Sequence, residues 1–294
     1  MGKAIQTTLG ITIGLGNHKG GVGKSTNAVH LAAALGEMGF KCLLIDLDPT
    51  AGTTRLLGLD QASYQGTLEL LTQNYDAPLE LVVDALEEEG RELPEGVHII
   101  PARTELAEID ELLRKQKYVD RFDLLEQPLK ILRKHYDFIL VDTPPQPGST
   151  LLGAAYAALE WFLLSVHAEP LALGGLMETL KDVADVRKRL NRDLEVLGVI
   201  IGRVKRNSQY WKEIVSFIDD TLPGRGFDAQ ISDTVQLQRL SEFGLTLFQD
   251  KRLKKSKVAE EYRAIAEQVE KRVLARDKFL KKTFVQQRRA AVNQ

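Results

Sequence analysis

The sequence predicts an α/β fold in which a mostly parallel, twisted sheet is covered by helices on both faces. Short apolar runs alternate along the 294 residues with longer segments whose apolar residues recur at helical spacing. Three of these runs end in Asn or Asp, which suits buried parallel strands that border a ligand. Hydrophobic residues make up 44% of the chain and charged residues 27%, enough for a full core. We interpret residues 1–294 as a single domain.

A glycine-rich turn links the first predicted strand, 11–17, to the first predicted helix, 24–38. Its glycines permit backbone conformations in which successive N–H groups converge on one anion, and the helix adds its positive end. Lys24 can reach the β- and γ-phosphates of a nucleotide, and the Ser25 hydroxyl is placed to ligate Mg²⁺. These features predict a P-loop NTPase that binds ATP or GTP. The predicted nucleotide-binding residues are Lys19, Gly20, Gly21, Val22, Gly23, Lys24, Ser25 and Thr26.

Two further apolar strands end in carboxylates. The strand predicted over 41–48 ends with Asp46 and Asp48, and the strand over 136–142 ends with Asp142. Because ligands of open α/β sheets lie beyond the carboxyl ends of strands, these side chains are expected to face the glycine-rich turn. Asp142 can hold a Mg²⁺-bound water, and strand alternation places Asp46 and Asp48 on one side of the chain. In an alternative interpretation, Asp46 and Asp48 only cap the turn that follows them.

The rest of the chain continues the alternation that a parallel sheet requires. The later predicted strands are 97–101, 136–142, 161–166 and 196–202. The later predicted helices are 105–115, 121–134, 150–159, 171–190, 208–222, 234–243 and 257–284. The last of these helices forms most of a basic C-terminal helical segment of about 256–290.

The net charge of −2 conceals a strong asymmetry along the chain. Residues 76–126 contain 15 acidic and 6 basic residues, whereas residues 251–294 contain 5 acidic and 14 basic residues. Accumulated basic clusters are typical of nucleic-acid binding, although any one cluster is also what a solvated helix face carries. The predicted DNA-binding candidates are Arg187, Lys188, Arg189, Arg192, Arg252, Lys254, Lys255 and Lys257.

Cysteine usage and the absence of a targeting pattern predict a cytoplasmic location. Cys42 is the single cysteine, so an intrachain disulfide is excluded. The first nine residues lack the charged and apolar regions of a signal peptide. The longest apolar stretch, 151–166, is interrupted by Glu160 and is short for a membrane span.

The pattern K-G-G-x-G-K-[ST]-T at 19–26 resembles the deviant phosphate loop of the ParA/MinD family of P-loop ATPases. Further matches extend the resemblance over nearly the whole chain. They are Leu44–Pro49 with Gly52 and Thr54, Asp142–Pro145, Glu169–Pro170 and Ser241–Gly244. His18 stands where many relatives have glutamine. The chain is most similar to the small ParA-type partition ATPases, which lack the N-terminal DNA-reading domain of the larger plasmid forms.

This resemblance implies a role for each matching residue. Lys24 would bind the phosphates of its own subunit, and Lys19 would cross a dimer interface to the partner's nucleotide. Ser25 would bind Mg²⁺ directly, with Asp46 and Asp142 acting through its waters. Asp48 would orient the attacking water, so Lys19, Lys24 and Asp48 form the implied catalytic set.

The implied activity is slow ATP hydrolysis by a homodimer whose ATP-bound state is the working form. Such a dimer would bind non-specific DNA on the nucleoid and be released when a ParB-like or adaptor protein stimulates hydrolysis. Its cargo would be a plasmid, a chromosome or a protein complex. Two alternatives remain open: MinD-like membrane attachment through the tail 276–285, and a P-loop metabolic enzyme such as an amidotransferase-type ligase.

Overall fold

The computed structural model describes residues 9–73, 76–86, 92–115, 122–205 and 208–276. The strands in these ranges are β1 (Ile11–Gly16), β2 (Cys42–Asp46), β3 (Val97–Ile100), β4 (Phe138–Asp142), β5 (Trp161–His167) and β6 (Glu195–Gly202). They form one sheet in the order β3-β2-β4-β1-β5-β6, and each neighbouring pair is parallel. The predicted α/β fold is therefore confirmed.

The described α-helices are α1 (Lys24–Glu37), α2 (Gly52–Leu56), α3 (Thr67–Thr72), α4 (Ile109–Lys115), α5 (Glu126–Leu132), α6 (Thr150–Ala158), α7 (Ala172–Arg189), α8 (Gln209–Thr221), α9 (Gln236–Glu242) and α10 (Lys257–Arg276). The segment predicted as one helix over 105–115 consists of a 3₁₀ turn at 104–108 followed by α4. A second 3₁₀ turn, at 123–125, precedes α5. The sequence pattern missed α2 and α3, since five or six residues are too few to show a helical period.

The last predicted helix is present as α10, which begins at Lys257 as expected. The described part of the chain ends at Arg276, so the remainder of the predicted segment, 277–290, lies outside the described residues. None of the helices in the described ranges has both the length and the apolar character needed to cross a bilayer.

Strand order brings the predicted site together at one edge of the sheet. Strand β4 lies between β2 and β1, so that Asp46 on β2 and Leu15 on β1 both pair with Asp142. Because all three strands are parallel, their carboxyl ends lie side by side. The turn that follows β1 therefore begins next to Asp142, with Asp46 on the far side of Asp142 at the same edge of the sheet.

Two apolar cores cover the two faces of the sheet. One core contains buried residues of α1 and α10, and the other contains buried residues of α5, α6, α7 and α8. The buried residues of α10 recur three or four positions apart, which presents one apolar stripe to the sheet. The cores hold α1 and α10 against the same face, where the two helices contact each other.

Candidate functional site

The turn between β1 and α1 has the backbone conformation that a phosphate-binding loop requires. Gly21 and Gly23 have φ angles of 73° and 83°, a region that residues with side chains rarely adopt. A Cβ atom at position 23 would lie 2.9 Å from His167 Nε2, so this glycine also allows β5 to approach closely. Gly20 and Gly21 are exposed at the rim of a cleft, where the loop can receive an anion.

Lys24 places a buried positive charge at the start of α1. The residue is only 6% exposed. Burial lowers the pKa of Lys24 below its usual range, and the charges of Asp142 and Asp48 oppose that effect. A buried ammonium group needs anionic neighbours, and a bound phosphate would add to the two that the protein supplies.

Asp46 and Asp142 occupy paired positions on adjacent strands, and both are fully buried. Burial raises the pKa of Asp46 above its usual range, and the neighbouring charge of Asp142 raises it further. Burial also raises the pKa of Asp142, while a hydrogen bond from Ser25 and the charge of Lys24 oppose the rise. Two adjacent buried carboxylates resist simultaneous ionisation unless a cation compensates them.

Two threonine hydroxyls that the sequence analysis did not assign to the site bind these carboxylates. Thr53 Oγ1 donates to Asp142 Oδ2 at 2.9 Å, and Thr54 Oγ1 donates to Asp46 Oδ2 at 2.7 Å. Asp46 also accepts hydrogen bonds from the backbone N–H groups of Asp48 at 3.2 Å and Thr54 at 2.9 Å. Asp46 therefore holds the turn that follows β2, as the capping interpretation describes. Asp48 also caps this turn, because its Oδ1 accepts the backbone N–H of Thr50 at 2.9 Å, and it lines the cleft as well.

One oxygen of Asp142 is available to a cation. Its Oδ1 atom is buried and has no hydrogen-bond partner among the described residues. Ser25 donates a hydrogen bond to the same carboxyl group, and a Cβ atom at Gly52 would lie 2.4 Å from Ser25 Oγ. Helix α2 thus begins directly against this hydroxyl. A serine hydroxyl beside a free carboxylate oxygen fits Mg²⁺, which prefers oxygen ligands.

Lys19, the second lysine of the loop, is paired within its own subunit. Its Nζ atom lies 2.7 Å from Glu169 Oε1, and both side chains are 33% exposed. The hydrogen bond from Lys19 is the main cause of the lowered pKa of Glu169. The backbone N–H of Lys19 donates to Asn17 Oδ1 at 2.8 Å, which fixes the base of the loop. Lys19 therefore stands at the rim of the cleft and not beside Lys24 in its interior.

The loop opens into a cleft of about 1210 Å³, which is large enough for a nucleoside triphosphate. The phosphate loop, Asp48 and Pro145 line one part of it. The carboxyl ends of β5 and β6, the segment 231–235 and the beginning of α9 also line it, and His167 of β5 lies directly against Gly23 of the loop.

Two histidines contact the phosphate loop. His18 Nε2 lies 3.1 Å from Asp182 Oδ2, and the backbone N–H of His18 donates to Thr179 Oγ1 at 3.0 Å. Both contacts tie the loop to α7. His167 is 8% exposed against Gly23, and burial lowers its pKa to about 4, so the ring is neutral at pH 7. Of these two histidines, only His18 was noted from the sequence.

The basic candidates lie in two different settings. Arg187, Lys188, Arg189 and Arg192 are exposed at the end of α7, at the edge of the sheet opposite the phosphate loop. In the second cluster, Lys254 pairs with Glu37 at 2.9 Å and Lys257 pairs with Glu261 at 3.2 Å, while Arg252 and Lys255 are exposed.

The glycine loop after the first strand, Lys24 in the first turn of α1 and Asp142 at the end of β4 define a P-loop nucleoside triphosphatase. A family model described as AAA domain matches residues 10–196. The chromosome-partitioning ATPase Soj of Thermus thermophilus is 31% identical over 89% of this chain and 96% of its own length. The chain belongs to the ParA-type family of partition ATPases.

Solved structures share the same fold. The cobyrinic acid a,c-diamide synthase of Mycobacterium smegmatis, solved with an ATP analogue and magnesium, is 25% identical. It superposes with a TM-score of 0.72 over 88% of this chain and 93% of its own. Apo McdA of Cyanothece is 23% identical, with a TM-score of 0.74 over 88% of this chain and 99% of its own.

The raised pKa values of Asp46 and Asp142 predict that the protein without nucleotide and metal loses stability as pH rises. Above the ordinary aspartate pKa of 3.8, the unfolded chain releases protons that the folded pair retains. Asp142→Asn removes the like charge beside Asp46. We expect the variant to gain about 1 kcal/mol relative to wild type between about pH 5 and pH 8, or roughly 2–4 °C in Tm.

Thermal unfolding in chelator across this pH range measures the effect. The matched control is Asp123→Asn, which removes an exposed carboxylate in place of a buried one. A pH-independent difference between Asp142→Asn and wild type would contradict the prediction.

Proposed function

We propose that this chain is an ATP-dependent dimerising ATPase that binds non-specific DNA in its ATP state and is released when a partner stimulates hydrolysis. The observation that carries the proposal is that the two loop lysines have different surroundings. Lys24 is buried near Asp142 and Asp48, whereas Lys19 is partly exposed and forms an ion pair with Glu169. The similarity to the chromosome-partitioning ATPase Soj of Thermus thermophilus favours this function over that of the metabolic ligases with the same fold.

Within one subunit, the loop N–H groups and Lys24 would bind the phosphates of ATP. Ser25 and the free oxygen of Asp142 would hold Mg²⁺, which when bound neutralises charge on the phosphates. Asp46 would act on Mg²⁺ only through bound waters, since its own oxygens hold the turn after β2. Asp48, which lines the cleft, would orient the attacking water. Positioning and charge neutralisation would supply most of the catalysis.

Between subunits, Lys19 would leave Glu169 and reach the nucleotide of the second subunit. The dimer would then depend on the triphosphate, and hydrolysis would reset the protein to monomers. Two copies of the exposed cluster at the end of α7 would double the positive charge offered to a duplex. A ParB-like or adaptor protein would set the timing by stimulating hydrolysis.

Alanine substitutions of the two loop lysines test whether Lys24 acts within its own subunit and Lys19 acts on the other subunit. Lys24→Ala removes a charged phosphate contact within the subunit, so the Kd for ATP should rise at least about 100-fold. Lys19→Ala should bind ATP within about threefold of wild type, because its contact is to the other subunit, yet fail to dimerise and hydrolyse. Light scattering and phosphate release measure both effects.

The matched control for Lys19 is Glu169→Gln, which frees the lysine without removing it. This variant should bind ATP and dimerise at least as readily as wild type. Normal dimerisation and turnover by Lys19→Ala would show that the lysine does not act across a subunit interface.

Removal of the Asp48 carboxylate should separate binding from hydrolysis. Asp48→Ala retains Lys24, Ser25 and Asp142, so we expect ATP and Mg²⁺ binding close to wild type. Turnover should fall by about 100-fold or more, because no carboxylate orients the water. The ATP dimer should then accumulate in size-exclusion chromatography. A monomeric profile with ATP would contradict the role assigned to Asp48.

DNA binding should require ATP and should depend steeply on salt. Each neutralised phosphate contributes a slope of about −0.9 to log affinity against log salt, so about six contacts give a slope near −5. Charge removal at Arg189 and Arg192 should weaken binding to all duplexes alike and flatten this slope. Lys254→Ala is the matched control, because Lys254 is already paired with Glu37. Equal affinity in ADP and ATP, or salt-independent binding, would contradict the DNA-binding function.

A further inference from the structure

The segment 231–235 lines the same cleft as the phosphate loop and Asp48. A nucleotide with its phosphates in the loop extends its nucleoside into the rest of the cleft, whose lining includes this segment. The segment is joined to the end of β6 by backbone hydrogen bonds, from Val204 N–H to Ile231 at 3.1 Å and from Asp233 N–H to Val204 at 3.1 Å. These bonds fix its fold but not its distance from the phosphate loop.

Helix α10 holds the same segment from behind through Glu261. Ser232 donates twice to this carboxylate, from its backbone N–H to Oε2 at 2.8 Å and from its hydroxyl to Oε1 at 2.6 Å. Lys257 Nζ donates to Ser232 Oγ at 2.9 Å and pairs with Glu261 at 3.2 Å. The Glu261 side chain is only 11% exposed, so these charge-assisted hydrogen bonds are shielded from water.

The next residue of α10 fixes the helix to the phosphate-loop side of the cleft. Tyr262 is fully buried, and its hydroxyl donates to Asn27 Oδ1 at 2.8 Å. Asn27 lies in the first turn of α1 and donates in turn to Ser165 Oγ of β5 at 3.0 Å. A single turn of α10 therefore contacts both sides of the cleft and sets the distance between them.

We propose that Glu261 is a positioning residue for nucleotide binding, which places the segment 231–235 against the nucleoside half of ATP. The inference rests on the proposed function of the cleft as an ATP site. Lys257, one of the predicted DNA-binding candidates, helps to hold the same segment through its contacts with Ser232 and Glu261. A loop held only by β6 would be free to move away from the nucleoside, and each contact it makes would then cost ordering entropy.

The test compares a ligand that has a nucleoside with one that does not. The Kd values of the full chain for Mg²⁺-ATP and for Mg²⁺-tripolyphosphate are measured for wild type, Glu261→Ala and Glu261→Gln. For Glu261→Ala, we expect the Kd for ATP to rise about tenfold and the Kd for tripolyphosphate to stay within about twofold. Glu261→Gln keeps an acceptor for Ser232 but loses its charge, so its Kd for ATP should rise only about threefold.

Glu260→Ala is the matched control, because it removes the same charge from an exposed neighbour on the same helix. It should leave both Kd values unchanged. Ser232→Ala removes the hydrogen bonds of this hydroxyl with Glu261 and Lys257 but changes no residue of α10. It should weaken only ATP binding and provides a second variant if Glu261→Ala folds poorly.

Equal weakening of ATP and tripolyphosphate binding in the Glu261 and Ser232 variants would overturn the proposal, since it would mark a general structural role. Unchanged ATP affinity in both would also overturn it. If wild type binds tripolyphosphate but not ATP, the proposed ATP function itself fails, and this inference fails with it.

Discussion

The charges of Lys24, Asp46 and Asp142 have to be balanced in the protein interior, and most of the site follows from that requirement. The sheet order places β4 between β2 and β1, so Asp142 lies between Asp46 and the phosphate loop. Burial of the two carboxylates is unfavourable unless hydrogen bonds and a cation compensate it. Thr53, Thr54 and Ser25 supply the hydrogen bonds, and Lys24 supplies part of the positive charge. The free oxygen of Asp142 leaves room for one more cation.

The local part of this arrangement could be predicted from the sequence. Each of the strands bearing Asp46 and Asp142 is a continuous apolar run that ends in its carboxylate, and the loop glycines and Lys24 follow directly from the first strand. The sequence could not predict contacts between distant segments. Lys19 meets Glu169 across 150 positions, and Thr53 meets Asp142 across 89. It also could not predict that Lys257, in the same basic run as Arg252, is hydrogen-bonded to Ser232 and paired with Glu261.

Two long helices extend from the cleft along the sheet. Helix α7 is bound to the phosphate loop through His18, and Gly175 packs so closely that a Cβ atom there would lie 3.0 Å from Asn17 Oδ1. Helix α10 is bound through Tyr262 at its beginning, and near its end Arg272 donates to the backbone carbonyl of Leu197 at 3.0 Å. Helix α7 has 18 residues and spans about 27 Å, so it connects the phosphate loop to the exposed arginines at its far end.

The ion pair of Lys19 with Glu169 is compatible with the change of partner that the proposed function requires of Lys19. Both side chains are 33% exposed, and a pair in that setting contributes at most about 1 kcal/mol. Such a pair cannot prevent Lys19 from moving to a triphosphate, which carries several negative charges where Glu169 carries one. It does keep the lysine ordered at the cleft rim when no second nucleotide is near. In the proposed dimer, part of the entropy of fixing this long side chain would thereby be lost before the second subunit arrives, and not at the moment of association.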